Sequence, residues 1–411
     1  MSKSKTLRFR RRRKEPPVGA VDDFSRRYYQ LEDERHAAAS GEVDSLIKKT
    51  PTGLLHELVE HPILRTFGAI EYLGKLVSDL LASAPLTAKA LAELEISLIE
   101  NLPPHAYHPV TISQLRCYAW RDLGLATRVL GSLRESLDAL AEAERQVYGY
   151  GALLHDVAVV RMAVALTLQE MERFEEARKL LAECKQVFIE YNDEKRLVLA
   201  TFSEGVLLQR MKLFRQARET YLLLLNSNAP IDTSVRAAIY RAIGFASMEL
   251  GDLTDAEHNL IRAIDLDRQL SQPVEVIRGQ YAFGRLLIRR GEAERAITYL
   301  RPVRRQFLDY ALTEEAGLCG LEIVEGMLLL GRYSSAEVLA RKIISEFTRA
   351  GLNTRAITAL GYLQEALAES RASTALVKTV REYIVSLRTS PKRDFLPLHI
   401  TASEPEKSPE Q

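Results

Sequence analysis

Six turns, at Gly131, Glu172, Lys212, Gly251, Gly291 and Gly331, recur along the chain with an even period of about 40 residues. Each is followed at shared offsets by the same residue types. The first turn leads into Leu133, Ser136, Leu140 and Ala143, the fourth into Leu253, Ala256, Leu260 and Ala263, and the fifth into Ala293, Ala296, Leu300 and Val303. Offsets of three, four and three residues hold these side chains on one stripe of a helix. Seven residues before the turn a very small residue recurs, as Gly124, Ala165, Gly205, Gly244 and Gly284. Glycine inside a helix costs about 1 kcal/mol relative to alanine, so the recurrence marks places where two helices approach closely. Such hairpins cannot cover their apolar faces alone and are stable only when stacked. The fold expected is therefore all-α, an α-α superhelix of about seven to eight helical hairpins forming one elongated domain. Length alone, 411 residues, would suggest two or three ordinary domains.

The run Trp120, Leu123, Gly124, Thr127, Gly131, Leu133, Ser136, Leu140 and Ala143 resembles a tetratricopeptide repeat. That motif carries Trp, Leu-Gly and Tyr in its first helix and Ala, Phe and Ala in its second, over about 34 residues. The repeats here are longer and lack the helix-ending proline. The resemblance covers residues 112–388 and extends to bacterial regulatory and scaffold-type proteins built almost wholly of such repeats. It implies a solenoid whose first helices line a groove that binds a protein or peptide.

The flanking segments divide by composition. Residues 1–17 hold eight basic groups and one acid, leaving a charge of −6 for the rest of a chain whose net charge is +1. Residues 1–17 and 389–411 carry too little apolar surface to offset ordering entropy and are expected to be disordered tails. Residues 18–63 are expected to form an irregular helical extension, with a break at Thr50-Pro51. Residues 64–111 are expected to form an atypical capping helix pair, Phe67 to Leu81 and Leu86 to Ile99, split at Ala84-Pro85. The array occupies 112–388, and its last helix, Thr374 to Leu387, is expected to present an exposed face on which a second copy could continue the stack.

Reactive chemistry finds little support. His56, Glu57 and His61 depart from a zinc-peptidase helix, because histidines five apart diverge by about 140° where four are needed to share a face. His105 and His108 lack further ligands for a tetrahedral site. Gly149-Tyr150-Gly151 lacks the third glycine of a dinucleotide loop and follows a helix rather than a strand. Cys117, Cys184 and Cys319 are scattered, as suits a reducing compartment, and Cys184 falls within an apolar stripe. No metal, cofactor or catalytic residue is expected. No apolar stretch approaches the roughly 20 residues of a membrane span. Met1 to Lys14 is followed by Glu15, Pro16 and Pro17 instead of the apolar core of a signal peptide. A cytoplasmic location without membrane insertion is expected.

The resemblance places the residues thirteen, ten, six and three before each turn on the groove. These include Tyr118, Arg121, Leu125 and Arg128 in the first hairpin, Phe202 and Gln209 in the third, and Arg241 and Phe245 in the fourth. The fifth contributes Arg278, Tyr281 and Arg285, and beyond it lie Glu325 and Glu365. The expected partner-binding residues are Arg121, Arg128, Phe202, Gln209, Arg241, Phe245, Arg278, Tyr281 and Arg285. Arginine forks grip carboxylates at two points and aromatics add apolar area, which suits an acidic, apolar peptide or helix. Arginines paired with acids of neighbouring helices would be the alternative use of the same residues. The clamp for a chaperone's terminal carboxylate needs Asn where Leu125, Leu166, Val206 and Phe245 stand, so that mode is disfavoured. The function expected is a non-catalytic scaffold or adaptor in a regulatory role. The alternative is a transcription- or RNA-associated regulator whose tail, Arg10, Arg11, Arg12, Arg13 and Lys14, contacts phosphates. No helix-turn-helix pattern follows that tail.

Overall fold

A left-handed residue stands at every one of the six turns. The backbone φ is 80° at Gly131, 60° at Glu172, 61° at Lys212, 83° at Gly251, 77° at Gly291 and 70° at Gly331. At each, the amide one residue on bonds back across the helix end, as from Ser132 to Thr127, Asp252 to Ser247 and Arg332 to Met327, at 3.0, 2.9 and 2.8 Å. This closure satisfies carbonyls that the helix end would otherwise leave open.

The computed structural model describes residues 18–395 except 82, 104, 389, 391 and 392. The tail Arg10 to Lys14 and residues 396–411 lie outside the described residues. The described chain is helical and, among the described residues, contains no strand. Contacts group it into two compact units, Met1–Asp156 and Val157–Gln411.

In the first unit, α1 (Val18–Ala38) packs on α3 (Phe67–Leu80), and α2 (Glu42–Lys49) lies between them in the chain. Residues Thr52–Glu60 and Pro62–Leu64 form tight 3-10 turns. Next come α4 (Pro85–Glu100), α5 (Pro109–Val129) and α6 (Leu133–Val147). Proline occupies the first turn of both α4 and α5, where its missing amide costs no helix bond. Gly68 has no room for a side chain, because a Cβ there would meet the Glu34 and Arg35 backbone of α1.

The second unit takes in most of α7 (Leu154–Glu170) and then α8 (Phe174–Glu190), α9 (Glu194–Arg210) and α10 (Phe214–Leu225). It continues through α11 (Thr233–Glu249), α12 (Leu253–Gln269), α13 (Pro273–Arg289), α14 (Ala293–Asp309), α15 (Thr313–Leu329), α16 (Tyr333–Arg349), α17 (Thr354–Ala368) and α18 (Thr374–Ser386). Consecutive helices pair as the period requires. A Cβ at Gly244 would lie 2.8 Å from the Leu260 Cγ, and Leu260 is fully buried. In the sixth hairpin the small residue changes sides: Val324 stands in the glycine's place and Ala340 in the leucine's, both fully buried.

Two features differ from expectation. The apolar stripe of α18, with Leu376, Val377, Val380 and Ile384, is covered by α15 and α17, which leaves Val385 as its exposed large apolar residue. The segment expected to begin a loose tail is anchored where it is described. Phe395 packs against Tyr362 and Tyr383, and the Tyr383 hydroxyl donates to the Arg393 carbonyl at 2.7 Å. One aromatic ring supplies apolar area that the polar composition around it concealed.

Candidate functional site

All nine groove residues named from the sequence are half-buried, none fully exposed. In the first unit, α5 carries Arg121 across the Tyr118 ring, 4.6 Å from its centroid, and its Nε and Nη2 donate to Asp122 Oδ1 at 2.8 and 2.6 Å. Asp122 is buried beside Glu95 of α4, and both crowd Gly74. Burial raises the Asp122 carboxyl above its ordinary value against the pull of Arg121. Burial, joined by the charge of Asp122, raises Glu95 further. Arg121 thus pairs with Asp122, while burial favours the protonated form of Glu95. Arg128, on the same helix, is half-buried.

In the second unit the arginines form a chain of ion pairs between successive hairpins. Arg241 of α11 holds Asp267 at 2.8 Å and Glu275 at 2.6 Å. Arg278 of α13 holds Glu275 at 2.6 Å and Glu315 at 3.5 Å. Arg285 holds Glu322 at 2.9 Å and lies 5.5 Å from the Phe245 centroid. Arg381 of α18 reaches over to Glu322 and Glu325 of α15, at 2.7 and 2.9 Å. Burial lowers the Arg381 pKa, but Glu322, Tyr281 and Glu325 outweigh it and the net shift is upward. Burial and Glu322 likewise hold the Tyr281 phenol protonated. Gln209 serves the backbone, donating to the Ala242 carbonyl at 2.8 Å while accepting from Tyr221 at 3.1 Å. Phe202 leans on Tyr221 with centroids 5.7 Å apart. These side chains tie hairpin to hairpin.

The structure does gather part of the set around one opening. A cleft of about 590 Å³ lies between α18 and the first helices α9, α11, α13 and α15. Phe245, Tyr281, Arg285 and Gln209 line it, as the sequence led one to expect, whereas Arg121, Arg128, Phe202, Arg241 and Arg278 do not. Its lining also includes Arg210, Lys212, Arg289, Lys378 and Arg381, against two acids, Glu249 and Glu382. Arg289 is paired with Glu249 at 3.1 Å, and Lys378 stands 4.0 Å from Glu382. Arg210 and Lys212 have no ion-pair partner among the described residues. The cleft therefore favours anions, with an aromatic floor. The first-helix phase missed these cations, because Lys212 sits on the turn itself and Lys378 and Arg381 come from a second helix.

Among the described residues no three His, Cys, Asp or Glu side chains stand together as a metal site, and no helix is long and apolar enough to cross a membrane.

No family model and no curated protein matches the sequence. Solved structures do match it. A signal transduction ATPase with numerous domains, bearing a tetratricopeptide repeat sensor, from Pyrococcus horikoshii is 14% identical with a TM-score of 0.56. The match covers 88% of this chain but 53% of the other, so the chain spans about half the length of that protein. RapI in its apo form is 15% identical with a TM-score of 0.50, over 67% of this chain and 99% of that one. The fold is that of the tetratricopeptide-like α solenoids.

Proposed function

We propose that this protein is a non-catalytic interaction module in a regulatory role, and that the cleft beneath α18 takes an acidic, apolar segment of a partner protein. The observation that carries this reading is the unequal lining of that cleft: six cations against two carboxylates, set over Phe214, Phe245 and Tyr281. Charged forks orient a carboxylate-bearing chain while aromatic faces bind its apolar residues. Arg210, Lys212 and Lys378 are exposed and supply attraction that salt screens.

The test is peptide display against the full chain, with fluorescence anisotropy of the enriched sequences. Acidic, apolar peptides should bind with affinity that falls as salt rises, and Arg210→Glu/Lys212→Glu/Lys378→Glu should weaken them at least tenfold. Peptides without acids, or equal binding to the variant, would overturn the reading.

A further inference from the structure

A second cleft, of about 810 Å³, lies between the second helices of the fifth and sixth hairpins, α14 and α16, and is floored by α15. Its floor residues are Ile323 and Met327, whereas Leu318 of the same helix lines the first cleft. At 3.6 residues per turn, Ile323 and Met327 point about 140° and about 180° away from Leu318 around the helix axis. The two openings use opposite faces of that helix.

Comparison of the hairpins with one another shows what is unusual here. Ten, thirteen and fourteen residues after the turn, the fifth hairpin carries Arg301, Arg304 and Arg305. The third and fourth carry Leu222, Leu225 and Asn226, and Ile261, Ile264 and Asp265, and the sixth carries Arg341, Ile344 and Ser345. Arg304 thus stands where aliphatic side chains stand in three other hairpins and the half-buried Glu144 and Lys185 in the first two, and it is only 6% exposed. Room for it comes from Gly320, where a Cβ would lie 3.0 Å from its Nε. The corresponding residues in the other hairpins are Trp120, Arg161, Thr201, Tyr240 and Gln280. One Arg304 terminal nitrogen donates to Glu346, and its buried Nε has no partner. A buried donor left open is costly and calls for an explanation.

The rest of the lining points the same way. Arg301, Arg305 and Lys342 are exposed, without ion-pair partners among the described residues, and the lining includes no acid. Beside them Val338 is 63% exposed over the buried Ile323 and Met327. The volume falls in the range of small-molecule sites. A hydrophilic anion alone would leave Val338 in water, and a neutral alkyl chain would leave three like charges unopposed.

We propose that the α14–α16 cleft binds a small amphipathic anion, its phosphate or carboxylate head among Arg301, Arg305 and Lys342 and its aliphatic body over Ile323, Met327 and Val338. This site is independent of the cleft beneath α18. The experiment is calorimetric titration of the full chain with octyl phosphate below its micelle threshold, alongside octyl glucoside and inorganic phosphate. Octyl phosphate should bind one to one, and at least tenfold more tightly than either control. Arg301→Glu/Arg305→Glu/Lys342→Glu should weaken it at least tenfold. Val338→Asp, at an exposed position on the same wall, should weaken it several-fold, with unchanged circular dichroism in both variants. Equal binding of octyl glucoside, or unchanged affinity in the charge-reversed variant, would overturn the proposal. So would a loss that follows Arg210→Glu/Lys212→Glu in the other cleft instead.

Discussion

Replacing Gly244 by alanine tests the close helix approach on which the period rests. The added Cβ would lie 2.8 and 2.9 Å from the Leu260 Cγ and Cδ2, and 3.2 Å from the Ala256 carbonyl oxygen. Carbon atoms rest at about 3.5–4.0 Å, so Leu260 or α12 must yield by about 0.7 Å. Overpacking of that kind costs about 1–3 kcal/mol. The gain in helix propensity returns about 1 kcal/mol. The net expectation is a destabilisation of about 1 kcal/mol. Leu260→Ala alone should cost about 2–5 kcal/mol, since Leu260 is fully buried. Once Leu260 is truncated its overlap is gone and only the 3.2 Å approach to the Ala256 carbonyl remains, so Gly244→Ala should then stabilise by up to about 1 kcal/mol. The sign of one substitution reverses with its neighbour. Urea unfolding followed by far-UV circular dichroism, at matched m-values, measures all four members of the cycle. Gly361→Ala is the control: nothing lies within 4 Å of its Cβ position in α17, and it should stabilise by about 1 kcal/mol in the unmodified chain. The same sign for Gly244→Ala in both backgrounds would refute the reasoning.

Three further outcomes are expected. Glu95 is raised well above its ordinary 4.5 by burial and by Asp122. The stability it contributes is complete below that ordinary value and is lost as pH rises through the folded value, because the unfolded chain releases its proton first. Glu95→Gln should therefore gain on the parent as pH rises above the ordinary carboxyl value, and a pH-independent difference in urea midpoint would sink the assignment. Glu172 holds a left-handed φ of 60° that glycine adopts freely, so Glu172→Gly should stabilise by about 0.5–1 kcal/mol, read from the same titrations. Burial, with Asp156 second, pushes the Cys117 thiol up to about 12 and raises Cys319 as well. All three cysteines are buried, so thiol reagents should label the chain only as it unfolds. Rapid labelling of the native protein would contradict that.

The hairpin was legible because its determinants are local. Turn, anchor and glycine all fall within about one helix length, and the structure places a left-handed residue at each of the six positions the period marked. The proline break at Ala84-Pro85 was equally local, and α4 begins at Pro85. What escaped was the register between hairpins. Arg241 finds Asp267 at the end of its own hairpin and Glu275 on the next, and Arg285 finds Glu322 on the first helix of the hairpin after its own. A single-helix phase says that an arginine faces inward but not which carboxylate meets it there. The α18 contact with α15 joins the second helix of one hairpin to the first helix of the hairpin before it, as the bond from Arg381 to Glu325 shows. The α14–α16 cleft had left a trace in the sequence, since Arg304 occupies a repeat position that is aliphatic in three other hairpins and aligning them brings it out.

The exchange of small and large residues between Val324/Ala340 and the Gly244/Leu260 type has a consequence for how such a chain can be recombined. Joining α13, which carries Gly284, to α16, which carries Ala340, would set two small residues against each other and leave a void. Joining α15 to α14 would drive Val324 into Leu300. Neither helix is an interchangeable part, because this small-against-large complementarity closes within each hairpin. Crossovers placed at the turns between hairpins, such as the left-handed Ala311, should yield folded chimaeras where both parents keep the ion pairs between hairpins, such as Arg285 with Glu322. Those placed at Gly251, Gly291 or Gly331 should fold only when both parents keep the large residue on the same helix.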